Sequence, residues 1–132
     1  IMKTKKQFGR EDLKIAYFTG ELKALAKQYN CVVVLLSQLN RDLEKRPNKR
    51  PMLSDLRESG AIEQDADQIV FLYRDEIYNK ESKQMGIAEA IVGKNRHGEQ
   101  GTAYMHAQLK YCQFSNLDSQ AIDQLHGMGS AA

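Results

Sequence analysis

Residues 22–38 read LKALAKQYNCVVVLLSQ and join the end of a helical pattern to an unbroken apolar run. From residue 10 to residue 29 the apolar side chains recur at steps of three and four, which predicts an amphipathic helix that ends at Asn30. Residues 31–36, CVVVLL, are apolar on both faces, as in a central strand of a parallel sheet that helices cover on both sides. A helix followed by a buried strand predicts an α/β fold with parallel strands and flanking helices.

The rest of the chain extends this pattern. Residues 68–73, QIVFLY, predict a second buried strand. Residues 87–94 and 102–109 alternate enough to predict a terminal β-hairpin around the turn NRHGEQG. Short helices are expected after a cap at Ser54 or Asp55 and over residues 61–66. The expected domain spans residues 1–115, and residues 116–132 are expected to form a weakly ordered tail.

Composition excludes several classes of protein. The formal net charge is only +2, so global charge does not predict a nucleic-acid partner. Cys31 and Cys112 match no metal or redox spacing, and Cys31 is expected to be a buried, reduced thiol. No stretch approaches the roughly 20 apolar residues that a membrane span needs. No signal peptide is recognisable, so we expect a cytoplasmic protein with no membrane partner.

Missing motifs narrow the chemistry further. The one Gly-Lys pair, Gly93-Lys94, is followed by Asn95 and has Ala88 where a phosphate-binding loop needs its first glycine. The three histidines do not stand at ligand spacing, so no metal site is expected. Ser37 lacks the glycines of a nucleophile elbow. A self-contained hydrolase or metalloenzyme is therefore not indicated.

Two features in the middle of the chain suggest binding chemistry. Gln38 follows the predicted strand, where ligands collect in open α/β sheets. Its amide can donate a hydrogen bond to a phosphate oxygen and accept one from a water molecule; the alternative is a polar strand end with local hydrogen bonds. Residues 41–50 carry five cations that could neutralise backbone phosphates. The alternative is a solvated charged loop.

Two further features lie downstream. Arg57 and Glu58 precede Gly60, which permits a close approach of the backbone; by themselves the two charges also fit a local ion pair. Lys94 and Arg96 flank Asn95 at the hairpin turn, and two cations at this spacing point the same way on a strand. A rigid hairpin of this kind can reach a neighbour's phosphate as an arginine finger does. An exposed turn with ordinary charges is the alternative.

Together these features resemble one family. Residues 37–78, SQLNRDLEKRPNKRPMLSDLRESGAIEQDADQIVFLYRDEIY, resemble the DnaB-type replicative DNA helicases along their whole length. Residues 86–102, GIAEAIVGKNRHGEQGT, resemble the last motif of that family, a strand, a K-x-R-x-G turn and a strand. Residues 22–30 resemble the helix before the motif glutamine. The chain has Glu99 where the family commonly has a proline.

The resemblance implies the C-terminal half of a RecA-like P-loop ATPase core within a hexameric, ATP-driven motor on single-stranded DNA. Gln38, Lys94 and Arg96 would be the catalytic and nucleotide-binding residues, with Lys94 and Arg96 acting on the adjacent subunit's nucleotide. The DNA-binding residues would be Arg57, Glu58 and Gly60, with Arg46, Lys49 and Arg50 from the basic loop. The implied partners are single-stranded DNA, identical subunits, a primase and a helicase loader.

Residues 1–3, IMK, resemble the end of the family's Walker B stretch. The resemblance therefore implies that the phosphate-binding loop and the Mg²⁺ ligand lie upstream, so ATP and Mg²⁺ would be bound mainly by residues outside this chain. Such a fragment should bind ATP weakly. An alternative to the helicase function is a non-catalytic DNA-binding or interaction module. A third possibility is a RecA-like recombinase or a circadian-clock ATPase, but the stretch SDLRESG disfavours it.

Overall fold

The computed structural model describes residues 11–56, 60–118 and 121. In chain order it contains helix α1 (Glu11–Tyr29), helix α2 (Gly60–Asp65) and strands β1 (Gln68–Tyr73), β2 (Ile87–Asn95), β3 (Gly101–Gln108) and β4 (Gln113–Asn116). Single turns of 3₁₀ helix occupy Arg41–Lys45, Leu53–Asp55, Asp75–Ile77 and Leu109–Tyr111. The described part is α/β, as predicted, and the helix, the strand at residues 68–73 and the hairpin are confirmed.

All three strand pairings in the described sheet are antiparallel, in the order β1-β2-β3-β4. The expectation of parallel strands is wrong for this sheet. Parallel neighbours need a crossover of about a dozen residues or more, usually helical. The five residues between β2 and β3 form a tight turn instead, and the connection from β1 to β2 contains one 3₁₀ turn and no α-helix.

The end of α1 follows from Asn30. Its φ of 48° places it in the left-handed region, and the N–H of Cys31 then donates to the carbonyl of Ala26 at 3.0 Å. This six-to-one hydrogen bond satisfies one of the last helix carbonyls, and Asn tolerates the left-handed conformation better than most residues. The predicted helix exit at Asn30 is confirmed.

Residues 31–36 differ from the prediction. They form no strand, and within the described residues no other segment pairs with them. Val32 is 90% exposed and Leu36 is 91% exposed, and Cys31 is exposed with a free thiol rather than buried. A two-faced apolar run becomes a central strand only when strands and helices cover it. The described residues provide no such cover, so the expectation of a buried strand here is wrong.

Buried residues lie on both faces of the sheet. Ile69, Phe71 and Tyr73 alternate inward along β1, and Phe71 and Tyr73 lie opposite Ile91 and the buried Glu89 of β2. Ala88 of β2 and Ala107 of β3 are buried on the other face. At Gly93, a Cβ would lie 2.6 Å from Cε2 of the Phe71 ring, so the glycine allows the ring to pack directly on the backbone of β2. This contact fixes β2, the strand that leads to Lys94 and Arg96.

The region around residue 116 contains a strand that was not predicted. β4 pairs with β3, and Leu117 just beyond it is 8% exposed. Residues 119, 120 and 122–132 lie outside the described residues, so the division of the chain at residue 115 stays a prediction. In the parts of the chain that the structure describes, no helix is long and apolar enough to cross a membrane.

Candidate nucleic-acid and nucleotide interface

Two cations stand side by side where β2 ends. Lys94 Nζ and Arg96 Nη2 both donate to the main-chain carbonyl of Gln64, at 3.4 and 2.9 Å, and Lys94 also donates to the carbonyl of Glu63. The two side chains therefore extend to the same side, as their spacing predicts. The carbonyls belong to the last turn of α2, where the helix dipole favours positive charge.

Asp67 connects this pair of cations to helix α1. Its carboxylate accepts a hydrogen bond from Lys23 Nζ at 2.9 Å and lies 3.2 Å from Arg96 Nη1. The hydrogen bond from Lys23, with a smaller contribution from the charge of Arg96, lowers the pKa of Asp67. The side chains of Asp67 and Arg96 are 56% and 42% exposed, so their ion pair is screened and weak.

The turn beyond Arg96 is built around Asn95. Its side chain donates to the carbonyl of Glu99 at 3.2 Å and accepts a hydrogen bond from Gln68 at 3.2 Å. A Cβ at Gly98 would lie 2.6 Å from the Asn95 Nδ2 atom. The glycine leaves room for the Asn95 side chain in this turn. Glu99 accepts the hydrogen bond from Asn95 through its main-chain carbonyl, so the type of side chain at position 99 does not affect this contact.

Gln38 lies apart from these cations. It is exposed, in the segment without regular secondary structure that precedes the isolated bridge between Leu39 and Leu56. Among the described residues, no hydrogen bond connects its side chain to Lys94 or Arg96. The role of Gln38 as a nucleotide sensor stays a prediction.

The basic loop, residues 41–50, is anchored from inside by Asp55. This carboxylate is 6% exposed and accepts hydrogen bonds from Arg46 Nη2 at 2.7 Å and from the N–H of Met52 at 2.9 Å. Arg46 Nη2 also donates to the carbonyl of Arg50 at 3.0 Å. Because a buried carboxylate needs a paired cation, Arg46 is held against the protein.

Arg50 is anchored by a second buried carboxylate, that of Glu89 in β2. Its Nε and Nη2 atoms donate to the two carboxylate oxygens at 2.8 and 2.7 Å, and its guanidinium lies 4.9 Å from the centre of the Tyr73 ring. The hydrogen bonds to Glu89 raise the pKa of Arg50. Burial and a hydrogen bond donated to Asp75 raise the pKa of Tyr73 to about 12.

Of the other loop cations, Arg41 and Lys45 are exposed and Lys49 is half-buried. Lys49 Nζ donates to the carbonyl of Arg46 at 3.1 Å and lies 5.9 Å from the centre of the Tyr78 ring. The Lys45 side chain is 81% exposed, and its hydrogen bond with Asp42 raises its pKa. Arg41 is exposed and makes no ion pair with any residue in the described ranges.

The remaining predicted DNA-binding residues are only partly described. Arg57 and Glu58 lie outside the described residues. Gly60 is exposed at the first position of α2, and a Cβ there would meet no atom within 4 Å. The backbone at Gly60 is therefore open to a ligand, and the DNA-binding role of these three residues stays a prediction.

The sequence prediction missed the acidic partners in this region. Asp55 and Glu89 neutralise Arg46 and Arg50, and Tyr73 supports Arg50 from the side. The signal for Glu89 is present in the sequence, since it is the one charged residue inside the apolar run IAEAIV. A charged residue in a buried strand implies a paired partner. Across the described residues, no group of three or more metal-ligating side chains is present.

The known proteins that this chain is similar to indicate one family. Residues 1–116 match the family described as the DnaB-like helicase C terminal domain. The chain is 53% identical over 111 residues, 84% of its length, to the replicative DNA helicase DnaB of Buchnera aphidicola subsp. Acyrthosiphon pisum, of which this covers 24%. It is 48% identical over 105 residues to that of Geobacillus stearothermophilus, covering 80% of this chain and 23% of the relative.

Solved structures agree with these relatives. One solved ATPase domain superimposes with a TM-score of 0.84 at 46% identity, over 88% of this chain and 41% of that one. A DnaB-like replicative helicase studied for its interactions with primase gives the same TM-score and identity, over 88% of this chain and 28% of that one. The chain thus spans about a quarter of the length of these curated relatives. With a family match over 116 of its 132 residues, the chain belongs to the DnaB-like helicase C-terminal domain family.

Proposed function

We propose that this chain is the DNA-facing and neighbour-facing part of a hexameric, ATP-dependent replicative DNA helicase that moves along single-stranded DNA and unwinds the duplex. The observation that carries the proposal is the 53% identity to a replicative helicase over 111 residues, which include the basic loop and the Lys94–Arg96 turn. ATP and Mg²⁺ would be bound mainly by residues outside this chain, since it contains no phosphate-binding loop motif.

Lys94 and Arg96 would act on the nucleotide of the adjacent subunit. Cations that reach a γ-phosphate stabilise the charge that develops during phosphoryl transfer. Their position on the turn of a hydrogen-bonded hairpin supports this role, because a rigid hairpin holds both groups in one orientation. Their present partners are main-chain carbonyls and the exposed Asp67 carboxylate, and exchanging such exposed contacts for a phosphate costs little.

Gln38 would report the phosphate state to the DNA-binding segments. Its exposed amide in the segment that leads directly into the basic loop supports this assignment. Arg57, Glu58 and Gly60 would follow the DNA backbone together with the loop that contains Arg46, Lys49 and Arg50. Grip on DNA would be independent of base sequence, because contacts to phosphate carry no base code.

The intact helicase would act in the cytoplasm with a primase and a helicase loader as partners. One of the similar solved structures concerns a DnaB-like helicase and its interactions with primase, which supports the primase as a partner class.

Arg96→Ala, made in the complete subunit that carries this chain, tests the proposal. It should abolish DNA-stimulated ATP hydrolysis and leave nucleotide binding largely intact, because the residue acts on the charge of the transition state in a neighbouring subunit. Steady-state phosphate release and the binding of a fluorescent ATP analogue measure the two effects. Lys80→Ala, at an exposed position between β1 and β2, is the control and should behave as wild type.

Normal turnover by Arg96→Ala would refute the trans-acting assignment. A wild-type protein that binds single-stranded DNA but hydrolyses no ATP would instead favour the alternative of a non-catalytic binding module.

A further inference from the structure

Arg50 is held by two hydrogen bonds to the buried carboxylate of Glu89. Both oxygens of Glu89 accept hydrogen bonds from the guanidinium, at 2.8 and 2.7 Å, and Glu89 is only 2% exposed. A two-pronged contact of this kind fixes the plane of the guanidinium as well as its position. The Tyr73 ring, 4.9 Å away, then covers one side of it.

The burial of Glu89 determines whether Arg50 can leave this carboxylate for a DNA phosphate. A carboxylate that is shut off from water is stable as an anion only while a cation remains hydrogen-bonded to it. If Arg50 turned to a DNA phosphate, Glu89 would be left charged and unpaired inside the sheet. The exchange is therefore unfavourable, even though the phosphate itself is an excellent partner for a guanidinium.

A second anchor holds the same stretch of chain. Arg46 donates to the buried carboxylate of Asp55 and to the carbonyl of Arg50, so it joins both ends of residues 46–55. Lys49 lies between the two anchors and donates to the carbonyl of Arg46. The interior side of the basic loop is thus tied to the protein at two buried carboxylates.

The outer side of the loop is free to bind. Arg41 is exposed and has no ion-pair partner within the described ranges. Lys45 is 81% exposed, and its ion pair with Asp42 is open to solvent and readily exchanged. These two cations can approach a phosphate with no buried group losing its partner.

We propose that Arg50 and Glu89 form a positioning pair that fixes the basic loop on β2, and that Arg41 and Lys45, rather than Arg46 and Arg50, make the loop's contacts to DNA phosphates. The inference rests on the proposed function, since it assumes that the protein binds single-stranded DNA. It divides four of the five loop cations into positioning residues and contact residues, a division that charge and sequence spacing do not reveal.

Glu89→Gln gives the sharpest test, because the two possible roles of Arg50 predict opposite results. It leaves all five loop cations in place and removes only the anchor. If Arg50 positions the loop, affinity for single-stranded DNA should fall about tenfold, roughly the cost of ordering one more residue on binding. If Arg50 contacts phosphate, releasing it from Glu89 should leave affinity unchanged or raise it.

Arg50→Lys provides a second and milder variant. It keeps the positive charge beside Glu89 but loses the fork of donors that holds both oxygens. A positioning residue predicts a loss of affinity like that of Glu89→Gln, whereas a phosphate contact predicts near wild-type binding. This variant decides the question if Glu89→Gln does not assemble.

The measurement is fluorescence anisotropy of a labelled oligothymidylate with the assembled full-length subunit, over a series of salt concentrations. Lys45→Ala should reduce the slope of log affinity against log salt concentration by about one, the equivalent of one released counterion. Lys80→Ala should not change this slope. Wild-type affinity in Glu89→Gln or Arg50→Lys, or a wild-type salt slope in Lys45→Ala, would overturn the inference. A wild-type protein without salt-dependent DNA binding would instead overturn the proposed function.

Discussion

Gly93→Ala should destabilise the protein through one contact with Phe71. A Cβ at this position would lie 2.6 Å from Cε2 and 3.1 Å from Cδ2 of the Phe71 ring, and 3.6 Å from Cδ2 of Leu53. Carbon atoms in contact normally stand about 3.5–4.0 Å apart, so the ring would have to move by roughly 1 Å. Phe71 is 4% exposed, which leaves the ring little space for that movement.

The expected size of the effect follows from two opposing terms. Overpacking a well-filled core costs about 1–3 kcal/mol. Replacing glycine by alanine returns about 0.4–1 kcal/mol, because the unfolded chain loses conformational freedom. The net loss should therefore be about 1–2 kcal/mol. With a urea dependence of about 1–3 kcal/mol per molar, the unfolding midpoint should fall by roughly 0.3–2 M.

Urea unfolding followed by far-ultraviolet circular dichroism measures this loss. Gly101→Ala, at the start of β3, is the matched control, since a Cβ there meets nothing within 4 Å. Phe71→Leu removes the atoms that clash, so in the double variant Gly93→Ala should cost less than it does alone. An equal cost in both backgrounds, or no loss in the single variant, would refute the close-approach argument.

Three further predictions concern stability. Gly20→Ala in α1 should raise the free energy of unfolding by about 0.5–1 kcal/mol, measured by urea titration, because a Cβ there meets no atom within 4 Å and alanine is the better helix former. Tyr73 has a folded pKa of about 12 against 10.0 in the unfolded chain, so its contribution to stability is complete below pH 10 and is lost as the pH rises towards 12. In unfolding curves measured between pH 10 and pH 12, Tyr73→Phe should therefore lose less stability than the wild type. Equal losses in the two proteins would contradict the raised pKa of the buried Tyr73 hydroxyl. Glu76 accepts a hydrogen bond from the N–H of Gly86 and pairs with Arg74, and these contacts hold its pKa below 4.5. Its contribution to the free energy of unfolding is therefore present above pH 4.5 and disappears as the pH falls. Glu76→Gln should therefore be less stable than wild type at neutral pH and should approach it below pH 4.5, whereas a constant difference across that range would count against this contact.

Local sequence patterns were sufficient wherever an element depends on its own residues. The three- and four-residue spacing before Asn30 predicted α1, and Asn30 itself marked the helix end. The apolar run at residues 68–73 and the alternation of the two hairpin strands predicted β1, β2 and β3 to within a residue or two. The resemblance at residues 37–78 and 86–102 gave the family before any contact was known, because long contiguous matches are far more specific than composition.

Sequence patterns failed where an element depends on what lies beside it. Residues 31–36 have the composition of a central strand, yet nothing in the described residues pairs with them and they are exposed. β4 is four exposed residues long and follows Cys112, whose φ of 50° makes the turn without the usual glycine or asparagine. Its position comes from pairing with β3, which no local pattern records.

The sequence by itself determined the α/β class, the helicase family and the cluster of five cations at residues 41–50. Only the tertiary structure decided which of those cations face inward. Arg50 meets Glu89 of β2, 39 residues away, and Arg46 meets Asp55 in the 3₁₀ turn before α2, so the fold brings two buried carboxylates beneath the loop. A cation and its distant partner are unrelated in local sequence, and burial alone makes their pairing obligatory.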